Sequence, residues 1–179
     1  MIQGNTRVTS SPGSFPGAQW YVARTRSGQE LGVRDRLRSS GVEHYIPTER
    51  RRNYRGKEKE HPVISCMVFI RATREEACAL RTEEFLPVNY VFDYVTHTML
   101  TVPDKQMEDF RRVLEASLSE GGLVDRPLEL GDRVRVTRGA LKGVEGNVLE
   151  LQGRLYVVVG LCGMVYARAK IPRAWLEKA

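Results

Sequence analysis

Apolar and polar positions change rhythm partway along this chain of 179 residues. From Trp20 to Leu118, strand-like runs alternate with helix-like ones. Trp20-Tyr21-Val22-Ala23-Arg24 suits a half-buried strand. Ser27-Gly28-Gln29-Glu30 matches a capping box, in which Ser and Glu reciprocally satisfy amides at a helix start. Val33 and Leu37 then give that helix a buried stripe, and Gly41 ends it. Val42 to Pro47 reads as a second strand, and the polar segment Glu49–His61, turning at Arg55-Gly56, as a projecting hairpin or mobile loop. The apolar run Val63 to Ile70 predicts a central strand. Thr73-Arg74-Glu75-Glu76 is a second capping box, opening a helix that buries Ala77 and Leu80. Val88–Val95 and Met99–Val102 read as paired strands around Thr96-His97-Thr98. Pro103-Asp104 starts a third helix with Met107, Phe110, Val113 and Leu114 on one face. This order predicts an α+β sandwich, with helices on a mostly antiparallel sheet.

From Leu128 to the end the pattern is almost wholly strand-like. Val134 and Val136 face one way, Arg133 and Arg135 the other. Gly139-Ala140-Leu141-Lys142-Gly143 turns the chain, Val144, Gly146 and Val148 resume the inward face, and Gln152-Gly153 makes a hairpin before Tyr156-Val157-Val158-Val159. A small five-stranded barrel hides such edges economically. Between the regions, residues 119–127 carry paired glycines and a proline and read as a linker. The first eighteen residues read as a disordered polar tail with no apolar leader core. No run reaches the ~18 apolar residues of a membrane span, and a cytoplasmic monomer is expected.

Charge narrows the functional classes. Lys and Arg total 28 against 22 acidic residues, a net of +6. Residues 49–61 hold six Lys/Arg and three Glu, half of that excess. Arg51, Arg52, Arg55 and Lys57 are candidate phosphate contacts there, and Tyr54 a candidate base-stacking ring. Arg24, Arg26, Arg34, Arg36 and Arg38 add charge at and after the first strand. The sequence contains no phosphate-cradling GxxxxGK[ST], no GxSxG and no HExxH, so an enzyme is not expected. Cys66, Cys78 and Cys162 are widely spaced, and His44, His61 and His97 form no ligand spacing with them, so neither a disulfide framework nor a metal or cofactor is expected. Cys66, in an apolar run, reads as a packing residue.

The segment from Gly131 to Val148 follows G-x-x-V-x-V-x-x-G-x-x-x-G-x-x-G-x-V and resembles a KOW motif. Preceded by an α+β region opening Trp20-Tyr21-Val22, residues 19–179 as a whole resemble the NusG family of transcription elongation factors. Ser27-Gly28, Pro47-Thr48-Glu49, the strand Pro62–Ile70 and Val102-Pro103-Asp104 carry the match along the N-terminal half. The resemblance implies an NGN domain over 19–118 that binds the clamp helices of bacterial RNA polymerase, a linker over 119–127, and a KOW domain over 128–179.

The resemblance also implies roles for individual residues. Tyr21, Ile64, Met67 and Phe69 are expected to form an open apolar depression for the polymerase. Arg26, Ser27, Gln29, Arg74 and Arg81 fall where specialised members touch the non-template DNA strand, with nascent RNA the other candidate strand. Leu161, Cys162 and Met164 fall at the KOW partner loop, where Gly160-Leu161-Cys162-Gly163-Met164 replaces the S-I-F-G-R with which housekeeping NusG proteins engage Rho and a ribosomal protein. Ile64-Ser65-Cys66-Met67 likewise replaces F-P-G-Y. Both departures resemble paralogues of the RfaH or UpxY kind, which prevent early termination in selected operons such as capsular polysaccharide loci. A housekeeping NusG that engages Rho, and a ribosome-associated KOW protein that binds RNA, are the alternative readings.

Overall fold

The computed structural model describes residues 17–117, 122–124 and 131–179. The proposed tail and most of the proposed linker lie outside the described residues. The chain divides into two compact units at Thr101/Val102. Among the described residues no helix is long and apolar enough to cross a membrane.

The first unit is built on an antiparallel pair. Strand β1 (Gln19–Arg24) runs beside β5 (Met67–Ala72), with six consecutive residues in register from Gln19↔Ala72 to Arg24↔Met67. Strand β2 (Glu43–Tyr45) adds on the far side of β5, and β6 (Asn89–Tyr90) beside β1, giving the order β2-β5-β1-β6. Helix α1 (Glu30–Ser39) and helix α2 (Arg74–Thr82) contribute Val33, Leu37, Ala77 and Leu80 to a core that also holds Tyr21, Ala23, Val68 and Ile70. The alternate residues Val22 and Phe69 are fully buried too, so both faces of the β1–β5 pair are covered. The capping box of α2 forms as its sequence predicts: the Thr73 hydroxyl accepts from the Glu76 amide, and the Glu76 carboxylate from the Thr73 amide.

At α1 the capping box does not form. The N-cap is Gln29, and no side chain caps the helix. Glu30 is instead 1% exposed, and its Oε1 accepts from the Cys66 amide at 2.9 Å. The run Val63–Ile70 explains why. It is not one strand, since Val63 to Cys66 turn and β5 begins only at Met67. Cys66 takes a left-handed backbone conformation (φ 58°), which points its amide away from the ladder. An amide turned off the ladder at a half-buried position needs an acceptor, and the buried Glu30 carboxylate supplies it. A carboxylate committed inward is lost to the helix end.

The polar segment after β2 is a formed hairpin. Strand β3 (Thr48–Arg52) pairs with β4 (Glu58–Pro62), and the Asn53 side chain closes the turn by accepting from the Arg55 and Lys57 amides at 3.0 and 2.9 Å. The expected strands at 88–95 and 99–102 shorten to β6 and β7 (Thr101–Val102), with a single bridge between Phe92 and Met99. Asp93 takes over the turn between them, its carboxylate accepting from the Val95 and Thr96 amides.

The second unit sets helix α3 (Asp104–Ser117) on a six-stranded antiparallel sheet ordered β13-β9-β10-β11-β12-β8. The strands are β8 (Leu123–Val124), β9 (Arg133–Val136), β10 (Glu145–Leu151), β11 (Arg154–Leu161), β12 (Val165–Lys170) and β13 (Leu176–Lys178). The sheet thus has one strand more than the sequence suggests, and Leu123–Val124, read as linker, pairs with β12. Helix α3 lies against β11 and β12. That cover explains why Val157, Val158 and Val159 are all buried although they alternate faces. Asp109, 2% exposed, accepts from the Glu145 amide at 3.1 Å and from the Lys105 ammonium, which itself donates to the Gly143 carbonyl. Arg112 donates to the carbonyls of Ala140 and Lys142. Two motif glycines are required sterically. A Cβ on Gly146 would run into the Val158 carbonyl, and one on Gly139 (φ +76°) into the Trp175 ring. Val148 is half-buried and Leu149 buried, so the inward alternation expected through Val148 shifts by one residue.

The Glu30–Cys66 contact makes a clear forecast. Glu30→Ala removes the acceptor of the half-buried Cys66 amide, which costs about 1 kcal/mol. Hydrogen exchange of the Cys66 amide, followed by NMR, then accelerates in Glu30→Ala, and Glu30→Gln, which keeps an acceptor, restores most of the protection.

Candidate functional site

The residues expected to form an open apolar depression are instead buried. Tyr21, Ile64, Met67 and Phe69 are 5, 5, 8 and 0% exposed. Their placement follows from the β1–β5 register. Tyr21 pairs with Ile70 on the helix-covered face, where its ring meets Tyr90 edge-on at 6.0 Å. Phe69 lies on the other face, 6.2 Å from the Tyr45 ring. Burial, above all, pushes the Tyr21 and Tyr90 phenols up. These side chains hold the sheet together, and none of them is presented to solvent. Leu161 is corrected in the same way. It is fully buried, while Cys162 and Met164 beside it are half-buried in the turn from β11 to β12. Burial raises the Cys162 thiol.

The basic hairpin is tied down at its root. Arg34 of α1, its side chain only 15% exposed, donates to Glu60 at 2.5 Å, and the Thr48 hydroxyl donates to the same carboxylate oxygen at 2.6 Å. These bonds, the Arg34 one foremost, hold the Glu60 carboxyl below its ordinary value of 4.5. Arg51 pairs with Glu49, and Arg52 with Glu58 at 3.5 Å. Arg55 stacks its guanidinium over the Tyr54 ring at 5.2 Å. Three acidic residues therefore sit on the two legs, while Arg55 and Lys57 at the tip have no carboxylate partner among the described residues. Tyr54 is 90% exposed, with one ring face already occupied by that arginine.

A second basic feature lies where β1 ends. A groove of about 500 Å³ is lined by Arg24, Thr25, Arg26 and Gln29 on one stretch of chain and by Arg81, Phe85, Leu86, Pro87, Val88 and Asn89 on another. Arg24 and Asn89 are strand partners in β1 and β6, and the Thr25 hydroxyl donates to the Pro87 carbonyl at 3.0 Å, so the two stretches are fixed to each other. No lining residue is acidic. Three arginines and two side-chain amides among its lining residues suit an anionic ligand. Of the residues marked in the sequence for strand contact, Arg26, Gln29 and Arg81 come together here. Ser27 and Arg74 are exposed but do not line the groove, and Arg51, Arg52, Arg55 and Lys57 belong to the separate hairpin. Sequence reasoning missed Phe85 and Asn89. The available signal was an aromatic with no helical or strand partner, set between a helix end and Pro87.

The comparisons bear on this geometry. A family model described as transcription termination factor nusG matches residues 18–111, just over half of the chain. The chain belongs to the NusG family. Members are non-enzymatic transcription elongation and antitermination factors that bind RNA polymerase, and the groove and the hairpin both fall within the matched residues. No curated protein matches the chain.

The Arg34–Glu60 pair gives this NusG-family chain a pH signature. Because the folded Glu60 value is depressed, its contribution is fully present above the ordinary glutamate value of 4.5 and is lost as pH falls through the lower folded value. Glu60 is 40% exposed, so solvent screening limits the amount to at most about 1 kcal/mol. Chemical denaturation of wild type and Glu60→Gln is expected to show a stability gap at pH 7 that closes on acidification.

Proposed function

We propose that this NusG-family chain is a specialised elongation factor that accompanies RNA polymerase in the cytoplasm and suppresses pausing and premature termination in selected operons. Paralogues of the RfaH or UpxY kind are its model, and capsular polysaccharide-type loci its expected targets. The observation that carries the reading is the carboxylate-free groove of Arg24, Arg26, Gln29 and Arg81 in the family-matched unit, which suits a nucleic-acid strand exposed on the transcribing polymerase. The turn Leu161-Cys162-Gly163-Met164 supports the specialised reading, since it lacks the aromatic and arginine hot spots of a Rho-binding loop.

In this reading the factor does no chemistry. Residues 19–118 act as the NGN domain that docks on the clamp helices. Arg26, Gln29 and Arg81 hold the displaced strand, flanked by Ser27 and Arg74. The hairpin tip, with Arg55 and Lys57 between Arg51 and Arg52, adds encounter rate through its charge. Residues 128–179 act as a KOW module, with β8 from within 119–127 part of its sheet, and offer Cys162 and Met164 to a second partner. A factor that binds the active polymerase more tightly than the paused one by ~1.4 kcal/mol shifts the pause equilibrium tenfold.

Single-round transcription with the cognate polymerase tests the proposal. Shortened pauses and increased terminator readthrough are expected. The Arg26→Ala, Arg81→Ala double variant is expected to lose most of the effect while still co-purifying with polymerase. Unchanged pausing and readthrough with the wild-type protein would contradict it, and capture of Rho by the full chain would point to a housekeeping factor.

A further inference from the structure

Of the three cysteines in this chain, only Cys78 of α2 is open to solvent, and Cys66 and Cys162 are half-buried. Arg74 and Arg81 stand one helical turn before and after Cys78, so two guanidinium groups share its face of the helix. In the sheet beneath, Tyr21 of β1 and Tyr90 of β6 meet edge-on at 6.0 Å, in the same core cluster as Ala77 and Leu80 of that helix. Tyr90 is 7% exposed, and its hydroxyl is buried with no hydrogen-bond partner. An unpaired buried hydroxyl is costly, and native structures keep few of them. Burial first, then Cys78 and Tyr21, push the Tyr90 phenol up against the pull of Arg81, so it keeps its proton and remains a donor. At Tyr21, where burial again leads, the neighbours that act are Arg74, Glu75 and Cys78. Cys78 is thus the α2 residue that acts on both phenols.

Cationic neighbours and open access are what an attacking thiol needs. The donor beneath it sets Cys78 apart from an ordinary surface thiol. The Tyr90 hydroxyl makes no hydrogen bond to the reduced sulfur, and an oxygen added to that sulfur supplies the missing acceptor. We propose that Cys78 is a site of oxidation by hydrogen peroxide, and that its sulfenic acid is held by a hydrogen bond from the Tyr90 hydroxyl. The sulfur attacks one peroxide oxygen, an S–O bond forms and the O–O bond breaks. The departing hydroxide takes up the thiol proton and leaves as water. Sulfur loses two electrons and the peroxide gains them. Held by Tyr90, the product rests at the first, reversible step of cysteine oxidation. Arg81 also lines the groove at the end of β1, so the modified residue lies one helical turn from it. The inference goes beyond the function proposed above and depends neither on polymerase nor on a nucleic-acid strand.

Limited oxidation of the reduced full chain tests it, with a small excess of hydrogen peroxide, dimedone to trap sulfenic acid, and peptide mass spectrometry to read each cysteine. Wild type is expected to carry the trap on Cys78, several-fold above Cys66 and Cys162, and Cys78→Ser to lose that signal. Adding the dimedone after a delay reports how long the sulfenic acid survives. Tyr90→Phe keeps the ring and removes only the hydroxyl. It is expected to shorten that survival roughly fivefold, the scale of one lost hydrogen bond, with an undiminished Tm because the hydroxyl has no partner to lose. Equal labelling of the three cysteines, no trapped product at Cys78, or equal survival in wild type and Tyr90→Phe would overturn the proposal. Because this readout contains neither polymerase nor nucleic acid, its failure is separable from failure of the pausing effect.

Discussion

The β1–β5 pair sets the terms for the first unit. Six residues on each strand are in register, and apolar side chains are buried on both faces. Two consequences follow at the Arg24–Met67 end of the pair. Cys66, immediately before β5, leaves the ladder with its amide turned away, and the first residue of α1 supplies a carboxylate to meet it. Directly after Arg24, the chain crosses Thr25 to Gln29 and forms one wall of the groove. The end of the pair, the start of α1 and the groove are therefore one construction, and a change at Glu30 acts on all three.

The same unit separates its charge into two kinds. In the hairpin, carboxylates sit among the arginines, and each leg is cross-linked by ion pairs of modest individual strength. In the groove no lining residue is acidic, and three arginines share it with two side-chain amides. The first arrangement gives a shaped, moderately basic arm, the second a place where an anionic ligand meets uncompensated donors. The hairpin does carry a flat ring, Tyr54, but one of its faces is already occupied by Arg55.

Much of this was legible from residue order. Thr73-Arg74-Glu75-Glu76 became the capping box it spelled, Val33 and Leu37 the buried stripe of α1, and Gly139 and Gly146 lie where a Cβ would collide. What escaped did so for tertiary reasons. Ser27 to Glu30 has the letters of a cap, but the demand of the Cys66 amide, thirty-six positions away in sequence, outweighed the local one. Tyr21, Ile64, Met67 and Phe69 have the composition of an exposed apolar patch and of a core alike, and only the depth of their strands decides between them. Val157 to Val159 run continuously apolar because α3 covers the face that a lone sheet would leave wet. Phe85 carries no periodic signal at all, since its place at the groove depends on Arg36, which donates to the Glu84 and Phe85 carbonyls from another helix.

The central claim is that the groove at the end of β1 meets an unpaired strand on a working polymerase. Its most direct test is site-specific crosslinking within a reconstituted elongation complex, with a photoreactive side chain at position 85 of the full chain and separate labels on the two DNA strands and the RNA. The account predicts a crosslink to a single-stranded segment, lost when Arg26 and Arg81 are both replaced by alanine. A crosslink that goes only to polymerase protein, or that persists unchanged in the double variant, would contradict it.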